Sequence, residues 1–214
     1  MNCETDFVAR NENFQALVAD ITNVALQRRI SIFEQSLKLN AFGEGSAVYL
    51  REVMPEHKLR NSRFSEYTNE TVGDAIVKVI GKLGENVKIG KVVTITTEKD
   101  SVTGCYVHGP FTANVNNCML GKFGTVVTIK PTVGNRGGEL MGLARQLSKH
   151  ITGMNPRVVS ADVGSDSVTN KTETTDVLVE QEFLMDNSIT VGDLLEKEQA
   201  TVVDFVRFEC GGLQ

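Results

Sequence analysis

The sequence predicts an α+β protein built from two related subdomains, and three observations carry that expectation. The chain has 214 residues, enough for one large domain or two small ones with cores of their own. Stretches with apolar residues at helical spacing occur beside short stretches rich in Val, Ile and Thr, so both element types are present. The third observation is an internal repeat. Thr71-Val72-Gly73-Asp74 returns as Thr190-Val191-Gly192-Asp193, 119 residues later, and each copy opens a short helix followed by a Val-rich strand. Gly81-Lys82-Leu83-Gly84 resembles Gly121-Lys122-Phe123-Gly124 in the same way, and a Val-Val-Thr-Ile tetrad follows each, at 92–95 and 126–129. The two subdomains are expected to meet near residue 110, the first spanning 1–110 and the second 111–214.

Taken in order, residues 5–29 read as one long helix. Thr5 is a plausible N-cap, and the acids around it suit the positive end of a helix. Phe7, Phe14, Leu17, Val18, Ile21, Val24 and Ala25 recur at helical spacing. Residues 30–50 continue with mixed, helix-compatible composition and stop near Gly43 and Gly45. Residues 51–70 are polar, contain Pro55 and three Arg, and read as a surface loop. Thr71 and Asp74 stand at capping-box spacing and open a helix whose apolar face is Ala75, Ile76, Val79, Ile80 and Leu83. Residues 87–97 read as a strand with a bulge at Gly90. A second strand, 102–108, follows through Glu98-Lys99-Asp100-Ser101 and ends at Gly109-Pro110. A third runs 125–130 and stops at Pro131. Leu140, Leu143, Ala144, Leu147 and Ile151 mark the clearest helix. Residues 157–176 are rich in Ser, Thr and Asp and read as a connection. A helix from Thr190 and a strand over 201–210 close the chain.

Charge and cysteine usage narrow the function. The formal net charge is −5, opposite to the balance of proteins that grip phosphate backbones, so nucleic acid is not an expected partner. The four cysteines form no C-x-x-C pair and read as unpaired thiols of a reducing compartment. No apolar run is long enough for a membrane helix. Glu4, Asp6, Glu12 and Asp20 fit neither a signal peptide nor a transit peptide. His57, His108 and His150 have no Cys or acid at ligand spacing, and neither a phosphate-binding glycine loop nor a nucleophile elbow is present. The chain is therefore not expected to be an enzyme, to hold a metal or cofactor, or to bind a nucleotide. The two G-K-x-G stretches match the backbone-clamping loop of an RNA-binding module only weakly.

Two residues keep open alternatives. His108, just before Gly109-Pro110, is either a surface or satisfied turn residue or a residue with a functional role. Phe7 is in phase with Phe14, Val18, Ile21 and Ala25, which makes it the first core residue of its helix. Its first-turn place among Thr5, Asp6 and Arg10 argues instead for exposure.

The stretch Asn2-Cys3-Glu4-Thr5-Asp6-Phe7-Val8-Ala9-Arg10-Asn11, followed by Phe14, resembles the signature of the elongation factor Ts family. Members of that family are guanine-nucleotide exchange factors for the translational GTPase elongation factor Tu. The resemblance continues through Ile80-Gly81-Lys82-Leu83-Gly84-Glu85-Asn86, Tyr106-Val107-His108-Gly109, His150-Ile151 with Met154-Asn155-Pro156, Phe183-Leu184-Met185-Asp186, and Val203-Asp204-Phe205-Val206-Arg207-Phe208-Glu209. It is most similar to the mitochondrial branch. Bacterial members carry a long helical insertion before the segment matching Phe183, where this chain has only the polar stretch 157–182.

The resemblance implies two α+β core subdomains, each a small antiparallel sheet packed by helices. It implies that Thr5-Asp6-Phe7-Val8 matches the tetrad that dislodges Mg²⁺ from the partner's nucleotide site. Phe7 would wedge between two helices of the GTPase domain, Asp6 would disturb the Mg²⁺ region, and His108 would touch the partner near its phosphate-binding loop. Elongation factor Tu is thus the expected partner and the mitochondrion the expected location. Family members begin with a small three-helix domain and a strand ahead of this signature. The sequence begins at the signature itself, so the first sheet is expected to be a strand short, and Asn187 stands where the family has proline. A second expectation follows: a shortened form that binds the partner without efficient exchange, as a scaffold or competitor.

Overall fold

A computed structural model of the chain describes residues 1–38, 50–64, 69–98, 100–110, 112–134, 138–160 and 176–211. The architecture is α+β, with every paired strand antiparallel among the named elements. Two compact units divide the chain. The first takes Met1–Thr96, Phe111–Leu120 and Cys210–Gln214, and the second takes Thr97–Pro110 and Gly121–Glu209.

The first unit opens with β1 (Asn2–Cys3), α1 (Asp6–Arg10) and α2 (Glu12–Lys38). The expected single helix over 5–29 is therefore two helices, and the break has a local cause. Asn11 is extended (φ −71°, ψ 132°), and its N–H still closes α1 by donating to the Val8 carbonyl at 3.0 Å. Its side-chain Oδ1 accepts the Asn13 N–H at 2.9 Å, so the same residue ends one helix and caps the next. The second helix then runs past 29 to Lys38, and the glycines expected to stop it lie outside the described residues.

The stretch 51–70, expected as a loop, carries two elements, β2 (Leu50–Met54) and α3 (Glu56–Arg60). Its polar composition misleads because β2 carries charges outward while Met54, and Leu59 in α3, are buried. Pro55 precedes the helix instead of interrupting a chain, a place where its missing N–H costs nothing. Next come α4 (Val72–Leu83), β3 (Val87–Lys88) and β4 (Val92–Thr96). The one strand expected over 87–97 is two, because they pair with different partners: β3 with β1, and β4 with β2. Arg29 of α2 ties down the second pair, donating to Thr96 Oγ1 at 2.9 Å and to Glu52 at 3.1 Å. After β5 (Val102–His108), which belongs to the second unit, β6 (Ala113–Val115) and β7 (Cys118–Leu120) form a hairpin that the sequence reading left unassigned. Asn116 and Asn117 both have positive φ (48° and 63°) and turn it as Asn-Gly would.

In the second unit, β5 pairs β8 (Phe123–Pro131), and β8 pairs β11 (Ala200–Glu209), giving the order β11–β8–β5. So β4 and β5, consecutive in sequence, do not pair with each other. Helix α5 (Met141–Met154) lies on β5 and β8, and its Ala144, Leu147 and Ile151 are fully buried against Val127 and Ile129. A short 3-10 turn (Leu178–Glu180), β9 (Glu182–Phe183), β10 (Asp186–Thr190) and α6 (Val191–Lys197) complete the unit. Most of the polar connection expected over 157–176 lies outside the described residues.

The sequence repeat has a structural counterpart in each unit. Leu59 and Val72 in the first, and Leu178 and Val191 in the second, are all fully buried. Val72 N–H donates to the Ser62 carbonyl and Val191 N–H to the Gln181 carbonyl, both at 2.9 Å. Thr71 with Asp74, and Thr190 with Asp193, each form a complete capping box. The hydrogen bonds from each threonine hold Asp74 and Asp193 below the usual carboxylate range. Among the described residues, no helix is long and apolar enough to cross a membrane.

Candidate functional site

The tip of the first unit is α1 with the two residues before it. Pairing of Asn2 with Lys88 and of Cys3 with Val87 sets the chain's direction into the helix. Thr5 is extended (φ −128°, ψ 156°), and its Oγ1 accepts the Val8 N–H at 3.3 Å, the N-cap bond its residue type favours. The Thr5 hydroxyl proton points the other way, to the Glu85 carboxylate, whose two oxygens both lie 2.9 Å away.

The helix is only five residues long and is held by one face. Val8 and Ala9 are 5% and 7% exposed, and Val8 joins the core of Phe14, Leu17, Ile21 and Val87. Asp6, Phe7 and Arg10 face outward. Phe7 is 86% exposed, the most exposed of the large apolar side chains described. Of the two alternatives left by the sequence, exposure holds and the core placement does not. A fully solvated phenylalanine gives nothing to folding, so its environment supplies no structural reason for an aromatic at that position.

Cys3, at the base of the tip, is pushed up chiefly by burial, with the Glu85 and Asp6 carboxylates adding to it, and stays a thiol at neutral pH. Its Sγ–H donates to the Thr5 carbonyl at 3.4 Å. Cys210 Sγ lies 3.0 Å from the Met1 carbonyl, and the Gly211 N–H donates to Asn2 Oδ1 at 3.3 Å, so the chain's last described turn braces its first strand. All four thiols are free.

His108 lies in the second unit, at the exposed end of β5 opposite Phe123. Its ring stacks on Tyr106 (centroids 6.1 Å apart, planes 20° apart), with the tyrosine hydroxyl 3.4 Å from Nδ1. Lys149 Nζ lies 5.8 Å from the Tyr106 ring centre, which adds a cation to the same patch. Gly109, at φ 149°, then turns the chain at once. A Cβ there would meet the Lys122 backbone N at 2.9 Å, so the sharp exit after His108 needs glycine.

Thr5, Asp6, Phe7 and Val8 are thus brought together on one helical turn, Val8 as its buried foot and the other three at its surface. Sequence reasoning passed over Glu85, Tyr106 and Lys149 as individuals. The first two sit in stretches it quoted, but nothing in spacing links residues 5 and 85. Among the described residues, no group of three His, Cys, Asp or Glu could hold a metal ion.

Comparison with known proteins gives the family. The model of the family described as Elongation factor TS matches residues 4–176 and 169–212. The protein named Elongation factor Ts, mitochondrial, of Nematostella vectensis is 46% identical over 214 residues, which cover 99% of this chain and 72% of that protein. Its namesake in Xenopus laevis is 33% identical, with 99% of this chain and 63% of that protein covered. The one in Homo sapiens is 30% identical, with 99% and 60% covered. The chain therefore spans less than two thirds of the length of these two vertebrate relatives.

Proposed function

The chain belongs to the elongation factor Ts family, on its mitochondrial branch, and from that premise we propose that it promotes GDP release from the GTPase elongation factor Tu during mitochondrial translation elongation. The observation that carries the proposal is Phe7, an aromatic side chain held in solvent on a capped turn whose opposite face is fixed in the core. Such a side chain is ready to enter an apolar cleft of a partner with little loss of conformational freedom, because phenylalanine has only two rotatable side-chain bonds.

In the family's scheme that cleft lies between two helices of the GTPase domain. Phe7 parts them, Asp6 places a negative charge near the Mg²⁺ region, and Val8 stays in this protein's own core as the fulcrum. Mg²⁺ bridges the nucleotide phosphates and a protein hydroxyl in such GTPases, so moving its supports loosens GDP. His108, stacked on Tyr106, serves as a second contact near the phosphate-binding loop. Factor and nucleotide each lower the other's affinity for the GTPase, and the coupling is reciprocal: GTP that binds tightly expels the factor. No bond is made or broken by this chain. It needs no cofactor, bound nucleotide, nucleic acid or membrane for the task, which makes it a binding protein and not an enzyme.

Phe7→Ala tests the proposal. A desolvated aromatic anchor contributes about 2 kcal/mol or more, so stimulated GDP release should fall about thirty-fold or more. The thermal midpoint should stay unchanged, since the side chain touches little of its own protein. Near wild-type stimulation by Phe7→Ala would refute the wedge. A wild-type chain that binds elongation factor Tu without accelerating release would replace the proposal with the second reading, a scaffold or competitor.

A further inference from the structure

The turn that carries Phe7 is pinned at two points, and only one of them is in the core. Val8 is the buried pin. The other is the bond from Thr5 to Glu85, eighty residues away in sequence. Asp6 and Phe7 are the two residues between the pins.

A threonine hydroxyl has one proton and two lone pairs. Here the proton goes to a carboxylate that receives it with both oxygens, which makes the bond charge-assisted and fixes the hydroxyl's rotation. A lone pair is thereby left aimed at the Val8 N–H. Without the carboxylate, the hydroxyl can turn its proton to water and its side chain can leave the cap rotamer. The support behind Glu85 is firm. Helix α4 ends at Gly84, which takes a left-handed φ of 73° that a side chain disfavours, and its N–H closes on the Ile80 carbonyl at 2.8 Å. Two residues beyond Glu85, Val87 is 2% exposed and pairs with Cys3. The carboxylate thus projects from a braced corner of the fold.

We infer that Glu85 is a positioning residue for the wedge: by holding the Thr5 hydroxyl it sets the direction in which Asp6 and Phe7 leave the surface. The inference rests on the exchange function proposed above and goes beyond it, because Glu85 acts through Thr5 without itself entering the partner.

The test uses the full chain with elongation factor Tu carrying a fluorescent GDP analogue, and separately the full chain alone by native-state amide exchange. Glu85→Ala and Thr5→Val should each lower the maximal stimulated release rate about five-fold, the scale of one solvent-exposed hydrogen bond, while changing the half-saturating concentration less. Thr5→Ser, which keeps the hydroxyl, should retain most of the rate. The double variant should be no slower than Thr5→Val alone, since both changes remove one bond. In the free chain, Glu85→Ala should speed exchange of the Val8 amide about five-fold while leaving the amides of α4 unchanged. Should Glu85→Ala fail to fold, Glu85→Gln keeps the length and an oxygen acceptor but not the charge, and a loss of about two-fold is expected.

Additive losses in the double variant, or a Glu85→Ala chain with wild-type release and wild-type Val8 exchange, would overturn the inference. If Phe7→Ala abolishes acceleration and Glu85→Ala does not, the positioning role falls and the exchange function stands. If the wild type accelerates nothing, the exchange function falls, and Val8 exchange in the free chain still decides whether Glu85 holds the turn.

Discussion

Gly104→Ala should destabilise the second unit strongly, and the reason can be worked from distances. Gly104 lies in β5 opposite Val127, against Ala144 in the first turn of α5. A Cβ added there would stand 2.8 Å from the Ala144 Cβ and closer still to the Ala144 carbonyl carbon and oxygen. Ordinary contact begins at 3.4 Å, so the helix backbone has to retreat by about an ångström. It cannot do so alone, because Ala144, Leu147 and Ile151 of the same helix are fully buried against the sheet. The cost of such overpacking is about 3 kcal/mol. For a chain of this size each kcal/mol moves the midpoint by roughly 2–4 °C, so a fall of about 6–12 °C is expected in a thermal melt followed by circular dichroism. Gly81→Ala is the matched control. It lies within α4 with nothing within 4 Å of an added Cβ, and replacing helical glycine by alanine there should raise stability by about 0.5–1 kcal/mol. A Gly104→Ala midpoint within about 2 °C of wild type, or two shifts of the same sign, would refute the packing argument.

Two further expectations concern polar groups. His150 is fully buried; its Nδ1 accepts the Leu184 N–H at 3.1 Å, which places its proton on Nε2, 2.9 Å from Gln181 Oε1. Burial lowers its proton affinity, with the Gln181 bond opposing in part. The unfolded chain then binds more protons, so this stability is complete above about pH 6.5 and is lost as pH falls from there toward the folded value. Denaturant midpoints between about pH 7.5 and 5.5 should fall in wild type and flatten in His150→Phe. That variant also loses about 2 kcal/mol at neutral pH by leaving the Leu184 N–H without its acceptor and removing the bond to Gln181 Oε1, and an unchanged slope would discount His150. Thr71→Ala and Thr190→Ala each remove the hydroxyl of a capping box and should each cost about 1 kcal/mol in chemical denaturation. Markedly unequal losses would mean that the two copies of the repeat do not carry the same structural role.

Elements whose own residues decide them were legible. The T-V-G-D copies open helices with the predicted caps, and the apolar rows of α5 and the Val-rich stretches of β8 and β11 are where the spacing placed them. Elements decided by distant partners were not. β2 reads as a charged loop until β4 lies beside it, and β3 separates from β4 only because β1 arrives from the other end of the chain. The β6–β7 turn was missed because two asparagines do the work usually marked by glycine. In the candidate site the order of residues was legible, but the Thr5–Glu85 bond joins positions no pattern connects.

Phe7 shows why periodicity pointed the wrong way at the one place where direction matters. Counted straight through Asn11, the apolar spacing puts Phe7 on the same face as Phe14 and Ile21. Asn11 ends one helix and caps another, so the count restarts there, and Val8 and Ala9 take the inward positions instead. The apolar surface of Phe7 is left over once the core is complete. Burying such a side chain contributes about 1.5–3 kcal/mol, and the folded chain forgoes nearly all of it. Yet the residue is not left on a loose end: a cap bond, a charge-assisted bond to Glu85 and a buried valine hold the turn beneath it. Ordering a turn around an unused aromatic costs entropy that folding alone does not recover. An apolar cleft in a partner would recover it, and the rigidity already present would let more of that burial appear as disruption of the partner's nucleotide site.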